Sequence, residues 1–121
     1  MARILIVDDS PTELHALRRL LERHGYQILE ARDAQQGIDL ARRERPDLIL
    51  MDVVMPGMSG FQATRRLTRD EETARIPVFL VSSKTQESDR IWGLRQGAAD
   101  YVIKPVEERD ILPRMHAVLG T

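Results

Sequence analysis

Polar and charged residues follow four of the short apolar runs in this sequence, at the point where each run ends. A continuous apolar run bounded by turn residues is typical of a buried strand in a parallel sheet, and its last side chain emerges at the rim. In such sheets, sites form beyond the carboxyl ends of the strands. The residues concerned are Asp8, Asp9, Asp52, Ser82 and Lys104.

Each of these residues also has an ordinary structural interpretation. Aspartate is common at strand ends and turns, so the three acids could simply cap a loop or an adjacent helix. Ser82 could be a loop residue, and Lys104 could be a solvated charge. Their joint placement favours a site, because independent structural roles would rarely bring acids, a hydroxyl and an amine to one rim.

Three carboxylates held close together repel one another, which either raises a pKa or requires a bound cation. Asp8, Asp9 and Asp52 offer oxygen ligands without any His or Cys, a set that suits Mg²⁺ or Mn²⁺. Beside such an ion, Asp52 could attack a phosphoryl group and form an acyl phosphate, with Lys104 and Ser82 on the phosphoryl oxygens. The pattern therefore predicts aspartyl-phosphate chemistry.

Five apolar runs alternate with segments of helical periodicity, which is typical of repeated β-α units. Because the crossovers are right-handed and helices must cover both faces, the sequence predicts an α/β fold with a doubly wound, five-stranded parallel sheet. The 121 residues fit one domain, residues 1–121, with no room for a separate output domain.

Local signals predict where the first and last helices begin. Ser10, Pro11 and Glu13 predict a capping box with Pro at the first helical position. Pro113 inside a helix would cost about 3 kcal/mol. The last helix is therefore predicted to start at Asp110 as its N-cap, with Pro113 in the first turn.

Composition limits the possible partners. The chain has 18 basic and 19 acidic residues, a formal net charge of -1 and no long run of either sign, which argues against nucleic acid and against a membrane surface. It has no cysteine, so disulfides and thiolate metal sites are excluded. No leader or long apolar span is visible, and we expect a cytoplasmic, monomeric protein without membrane insertion.

One set of residues recurs along the chain in a distinctive order and spacing: Asp8-Asp9, Asp52 with Met55-Pro56-Gly57 and Gly60, Ser82, Tyr101 and Lys104-Pro105. This set resembles the response-regulator receiver domain, the CheY-like family, over essentially the whole chain. Segments 4–13, 55–65 and 95–101 are similar to single-domain regulators of twitching motility within that family.

The resemblance implies a phosphoacceptor and a metal site. Asp52 would take a phosphoryl group from the phosphohistidine of a sensor histidine kinase. Asp9 and Asp52 would bind Mg²⁺ directly, Asp8 would act through water, and the carbonyl of Val54 would be the remaining ligand. The family also implies the strand order 2-1-3-4-5.

The resemblance further implies a switch. Lys104 and Ser82 would bind the phosphoryl group, Tyr101 would swing inward, and the Lys104-Pro105 peptide would be cis. The fourth helix, fifth strand and fifth helix would form the face that binds an effector or a phosphatase. Trp92 lies in this region, where it could contact a partner or pack as core.

Two positions depart from the commonest family pattern. Val54, two residues after the acceptor, cannot position a hydrolytic water as an amide side chain could. Lys84, two residues after Ser82, places a cation where other members carry an acid or an amide. Both are expected to tune the phosphoryl lifetime, in a direction that the sequence leaves open. Ser82 replaces the more frequent Thr and keeps the hydroxyl donor.

Alternative functions use parts of the same pattern. A phosphate sink would drain a shared kinase through the same rim without an effector of its own. A metal-dependent aspartyl-phosphate phosphatase is disfavoured because Val54 leaves no general acid two residues after Asp52. A flavin-binding module shares the strand order, but Asp8 and Asp9 stand where a phosphate cradle needs Gly.

Overall fold

The computed structural model describes residues 1–120, in which five strands alternate with five helices. The elements are β1 (Arg3–Val7), α1 (Pro11–Glu22), β2 (Gln27–Ala31), α2 (Ala34–Glu44), β3 (Leu48–Asp52), α3 (Gly60–Arg69), β4 (Val78–Ser82), α4 (Glu87–Arg95), β5 (Asp100–Ile103) and α5 (Glu108–Leu119). All strand pairs are parallel and the order is β2-β1-β3-β4-β5, which confirms the predicted fold. No helix in this part of the chain is long and apolar enough to cross a membrane.

Helices cover both faces of the sheet, and every side chain of β3 and β4 is therefore buried. Alternate residues point to opposite faces of a strand. In β3, Leu48 and Leu50 pack with α1 and α5, whereas Ile49 and Met51 pack with α2 and α3. The continuous apolar runs of the sequence therefore reflect two cores, one on each side of the sheet.

Strand register brings the ends of β1 and β3 to the same height. Val7 lies beside Met51, and the next residue of each strand is an acid, Asp8 or Asp52. Asp52 in turn lies beside Val81 of β4. The acids that were predicted from two distant segments are consequently neighbours across the central strands.

The first turn of α1 differs from the predicted capping box. Ser10 caps the helix, since its Oγ accepts the Glu13 N–H at 3.3 Å, and Pro11 is the first helical residue. The Glu13 carboxylate does not return to the Ser10 backbone but reaches Lys104. The reciprocal box occurs in α3 instead, between Ser59 and Gln62.

The predicted start of the last helix is wrong. α5 begins at Glu108 with Glu107 as N-cap, and Pro113 lies inside it. The first turn is already formed before Pro113, because the Ile111 N–H donates to the Glu107 carbonyl at 2.9 Å. Ile111 and Met115 are fully buried against the sheet, and this packing outweighs the loss of one helical hydrogen bond at an exposed proline.

α4 is held against the sheet by a narrow contact. Its buried residue is Gly93, where a Cβ atom would stand 2.6 Å from Leu80 and 3.3 Å from Tyr101. The Trp92 side chain is 51% exposed, so the interpretation of Trp92 as core is wrong. Ile91 is also exposed, so α4 presents apolar side chains among the exposed charges of Glu87, Arg90 and Arg95.

Candidate functional site

Three strand-end carboxylates meet at the rim of the sheet. Asp8, Asp9 and Asp52 each offer an oxygen, and these oxygens lie within 4.8 Å of one another. The Lys104 ammonium lies 2.9 Å from Asp52 Oδ1 and 3.4 Å from Asp8 Oδ2. Asp9, Asp52, Ser82 and Lys104 line an open cleft of about 580 Å³. The structure thus brings together all five residues that the sequence placed at strand ends.

The loop after β1 fixes the orientation of Asp8. Its own N–H donates to the Ala31 carbonyl at 3.1 Å, which continues the β1–β2 pairing for one more residue. Its Oδ1 accepts the Ser10 N–H at 2.9 Å, so Oδ2 is the oxygen turned toward Lys104. Asp8 therefore both stabilises the turn into α1 and contributes a charge to the site.

The loop after β3 depends on a close backbone approach. The Gly60 N–H donates to the Val53 carbonyl at 2.9 Å. A Cβ atom on Gly60 would lie only 2.1 Å from the carbonyl oxygen of Asp52. Glycine is consequently required here, because any side chain would push the start of α3 away from the end of β3.

Ser82 and Lys104 are joined through the backbone. The Lys104 N–H donates to the Ser82 carbonyl at 2.8 Å, which extends the β4–β5 pairing beyond Ile103. The Lys104-Pro105 peptide bond is cis, as the family resemblance implied. Ser82 and Lys104 therefore lie on adjacent strand ends, and the lysine amine reaches across β4 to Asp52 and Asp8.

Burial dominates the electrostatics of the two buried acids. Burial raises the pKa of Asp52 to about 6, against the lowering effect of its hydrogen bond to Lys104, and the nearby Asp8 charge adds to the rise. Burial likewise raises the pKa of Asp8. Burial alone would lower the pKa of Lys104, but hydrogen bonds to Asp52 and Glu13 raise it above its ordinary value. One ammonium thus does not fully compensate the carboxylates around it.

The donor set fits a hard divalent cation. It consists of carboxylate oxygens alone, close enough to share one ion, and it carries more negative charge than Lys104 neutralises. Mg²⁺ prefers such oxygens and retains several waters, which an open cleft allows. Val54 borders the cleft with a 60% exposed side chain, and the role of its carbonyl as a ligand stays a prediction.

The residues predicted to switch are connected through the loop after β4. Ser82 Oγ accepts the Lys84 N–H at 3.0 Å, and the Tyr101 hydroxyl donates to the Lys84 carbonyl at 2.9 Å. Tyr101 is buried in the inward position, and its pKa is raised by that burial. The Lys84 side chain is exposed. The backbone of Lys84, rather than its amine, therefore links the site to the surface around α4.

Glu13 is the site residue that sequence reasoning missed. Its Oε2 lies 3.0 Å from the Lys104 Nζ, and it lines the same cleft as Asp52. The sequence pattern favoured a local capping role for this residue. The available signal was its position in the first turn of the helix that follows Asp8 and Asp9, which directs a long side chain back over the rim.

The fold and the site define a receiver of the response-regulator class. A model of the response regulator receiver domain matches residues 4–116, so the chain belongs to that family. Its sequence is 59% identical to Protein PilH from Pseudomonas aeruginosa over 120 residues, 99% of each chain. Several longer curated relatives also match, and the chain spans about half of their length.

Solved structures give the same fold. The chemotaxis protein CheY4 from Vibrio cholerae aligns with a TM-score of 0.91 at 28% identity, covering 98% of this chain and 99% of that one. The receiver domain of sensor histidine kinase PA1611 from Pseudomonas aeruginosa aligns with a TM-score of 0.91 at 29% identity, covering 99% and 98%. That receiver domain was solved with a magnesium ion coordinated in its active-site cleft.

Proposed function

We propose that this protein is a phosphoacceptor response regulator in which Asp52 takes a phosphoryl group from a sensor histidine kinase. The observation that carries the proposal is the buried Asp52 carboxylate, 2.9 Å from the Lys104 ammonium and within reach of two further acids. Receiver domains accept phosphoryl groups from histidine kinases, and this chain belongs to their family.

In the transfer, one oxygen of the Asp52 carboxylate forms an O–P bond while the P–N bond to the kinase imidazole breaks. The electron pair of the broken bond stays on the imidazole nitrogen, which then binds a proton from water. The Lys104 ammonium donates to the equatorial oxygens, where negative charge develops. Ser82 Oγ already accepts the Lys84 N–H, so its own O–H can donate to the same group.

Asp8, Asp9 and Asp52, with the Val54 carbonyl, are the residues that would hold the divalent ion. When bound, Mg²⁺ would neutralise charge on the phosphoryl oxygens. Mn²⁺ accepts the same oxygen donors and is expected to replace it. In the apo protein, Lys104 is the cation that holds the Asp52 and Asp8 carboxylates together.

The direct test is labelling with acetyl phosphate and Mg²⁺, followed by intact mass measurement. The wild type should gain one phosphoryl group, Asp52→Asn should gain none, and Asp39→Asn should behave as the wild type because Asp39 is an exposed acid of α2. Failure of the wild type to label with any donor would remove the proposal.

A switched output would use the surface of α4, β5 and α5. The loop of Lys84 connects Ser82 at the site to Tyr101 beneath this surface. Ile91, Trp92 and Ile103 are partly exposed there and provide an apolar area for an effector or a phosphatase. Val54 lines the cleft and Lys84 follows Ser82 by two residues, and both would set the phosphoryl lifetime.

The alternative is a phosphate sink, which would use the same rim without an effector. A pull-down with the beryllofluoride-bound protein separates the two, since a sink needs the kinase but no state-dependent partner. An aspartyl-phosphate phosphatase is the remote alternative, tested by turnover of a generic phosphate ester. We expect none, because Val54 offers no general acid, so the protein would catalyse only its own phosphorylation and dephosphorylation.

The likeness to PilH, together with the resemblance to regulators of twitching motility, leads us to propose a role in twitching motility or related chemosensory signalling. We propose a cytoplasmic monomer in which residues 1–121 form one receiver domain, with protein partners rather than nucleic acid. Replacing the chromosomal gene with Asp52→Asn should alter surface motility. Unchanged motility would contradict this pathway but not the phosphoacceptor role.

A further inference from the structure

The Lys104 ammonium contacts a third carboxylate that the phosphoacceptor chemistry does not require. Besides Asp52 and Asp8, its Nζ lies 3.0 Å from Glu13 Oε2. The two aspartates come from strand ends, whereas Glu13 comes from the first turn of α1. The Lys104 side chain is 16% exposed and that of Glu13 is 51% exposed, so Glu13 covers the amine from the solvent side.

Glu13 is available for this contact because another carboxylate already accepts the hydrogen bond that a capping box would give it. In a capping box, its carboxylate would accept the Ser10 N–H. That N–H instead donates to Asp8 Oδ1, a side chain that the site already fixes in place. The Glu13 carboxylate is thereby free to cross the cleft to Lys104 on the opposite side.

An ammonium group has three N–H donors and no acceptor. In this structure, carboxylates of Asp8, Glu13 and Asp52 surround it, one for each donor. A phosphoryl oxygen arriving at Asp52 can bind Lys104 only by displacing one of them. Asp8 is held by the Ser10 N–H and Asp52 is the acceptor itself, so Glu13 is the partner that can be displaced.

We propose that Glu13 is a positioning residue that holds Lys104 before phosphorylation and competes with the incoming phosphoryl group for its ammonium. This inference rests on the proposed acceptor role of Asp52. Glu13 also adds a fixed negative charge at the mouth of the cleft, so it slows the uptake of phosphoryl groups, most strongly from the more highly charged donors.

Glu13→Gln tests the inference, because it removes the charge and keeps the shape of the side chain. Glu22→Gln is the matched control: Glu22 lies at the other end of α1, pairs with Arg18 and has a side chain that is 45% exposed. Both variants change the net charge equally. Labelling rates are measured by intact mass at saturating Mg²⁺ for each protein.

Two donors distinguish competition from a general structural effect. Acetyl phosphate is a dianion near neutral pH, whereas phosphoramidate is a monoanion. Glu13→Gln should raise the rate with acetyl phosphate by about two- to fivefold, the range of an ion pair with one exposed partner. The rise with phosphoramidate should be smaller, and Glu22→Gln should match the wild type with both donors.

The inference is overturned if Glu13→Gln labels no faster than the wild type, if both donors change equally, or if Glu22→Gln gives the same rise. These results would leave Asp52 as the acceptor, because the wild type would still label. Absence of labelling in the wild type and in every variant would instead remove the proposed function, and this inference with it.

Discussion

The ammonium of Lys104 lies 2.9 Å from Oδ1 of Asp52, and this pair joins the end of β3 to the segment after β5. Lys104→Met would remove the donor aimed at the transferring group. Labelling by acetyl phosphate should fall by roughly 100- to 1,000-fold, the scale of losing one preorganised donor. Arg19→Met, which removes an exposed cation of α1, should label at the wild-type rate.

The raised pKa of Asp52 makes stability depend on pH. Because the pKa of Asp52 is about 6 in the folded protein against an ordinary 3.8, the folded state binds the proton more tightly than the unfolded state. Without Mg²⁺, the free energy of unfolding should therefore fall as pH rises from about 4 to 6, by at most about 3 kcal/mol. Urea unfolding at several pH values measures this fall.

Asp52→Asn should remove most of that pH dependence. At pH 7 it eliminates a buried charge that only Lys104 neutralises, so the free energy of unfolding should rise by about 1–2 kcal/mol. Lys104 keeps Asp8 and Glu13 as partners in this variant. A less stable variant at pH 7 would show that the pair contributes more than the burial of Asp52 costs.

Magnesium should stabilise the fold through the three acids. A ligand at 100 times its Kd raises the free energy of unfolding by about 2.7 kcal/mol. The melting temperature of the wild type should rise with Mg²⁺, that of Asp9→Asn should rise less, and that of Asp39→Asn should rise as in the wild type. Equal shifts in all three proteins would mean that the ion binds elsewhere.

Gly60 is predicted to be intolerant of any side chain. Gly60→Ala would place a Cβ atom 2.1 Å from the Asp52 carbonyl oxygen, so it should cost about 3 kcal/mol or more in unfolding free energy and slow labelling. Gly57→Ala is the comparison, because its φ of 77° is strained but no atom lies within 4 Å of its Cβ. It should cost only about 1–2 kcal/mol.

Val54→Asn should shorten the lifetime of the phosphorylated protein. The Val54 side chain is 60% exposed at the cleft, and an amide in its place can orient a water toward the phosphoryl group. We expect hydrolysis to accelerate by about two- to tenfold, below the ~100-fold of a positioned general base. Decay of the labelled mass measures the lifetime, and Val54→Leu should leave it unchanged.

Sequence reasoning predicted the sheet and the composition of the rim because both follow from local patterns. Continuous apolar runs mark strands buried on both faces, and right-handed crossovers leave few topologies. Asp52 had to emerge at the rim because it ends such a run. The acids at the ends of β1 and β3 accordingly meet as expected.

Tertiary packing decided the features that depend on competition between distant partners. The predicted start of α5 is wrong because the burial of Ile111 and Met115 outweighs the local preference for Pro113 in a first turn. The exposure of Trp92 depends on the Gly93 contact that seats α4 on the sheet. Neither the start of α5 nor the exposure of Trp92 can be predicted from a local sequence pattern, because both depend on contacts with distant residues.

The composition of the site follows from the sequence, whereas the pairing of its charges depends on tertiary structure. The sequence by itself determined which residues reach the rim, since strand ends and turn residues are encoded locally. Only the tertiary structure decided which charges pair there, because Glu13 could satisfy either its own helix or Lys104, 91 residues away along the chain. The Ser10 N–H donates to Asp8, so Glu13 accepts a hydrogen bond from the Lys104 ammonium instead.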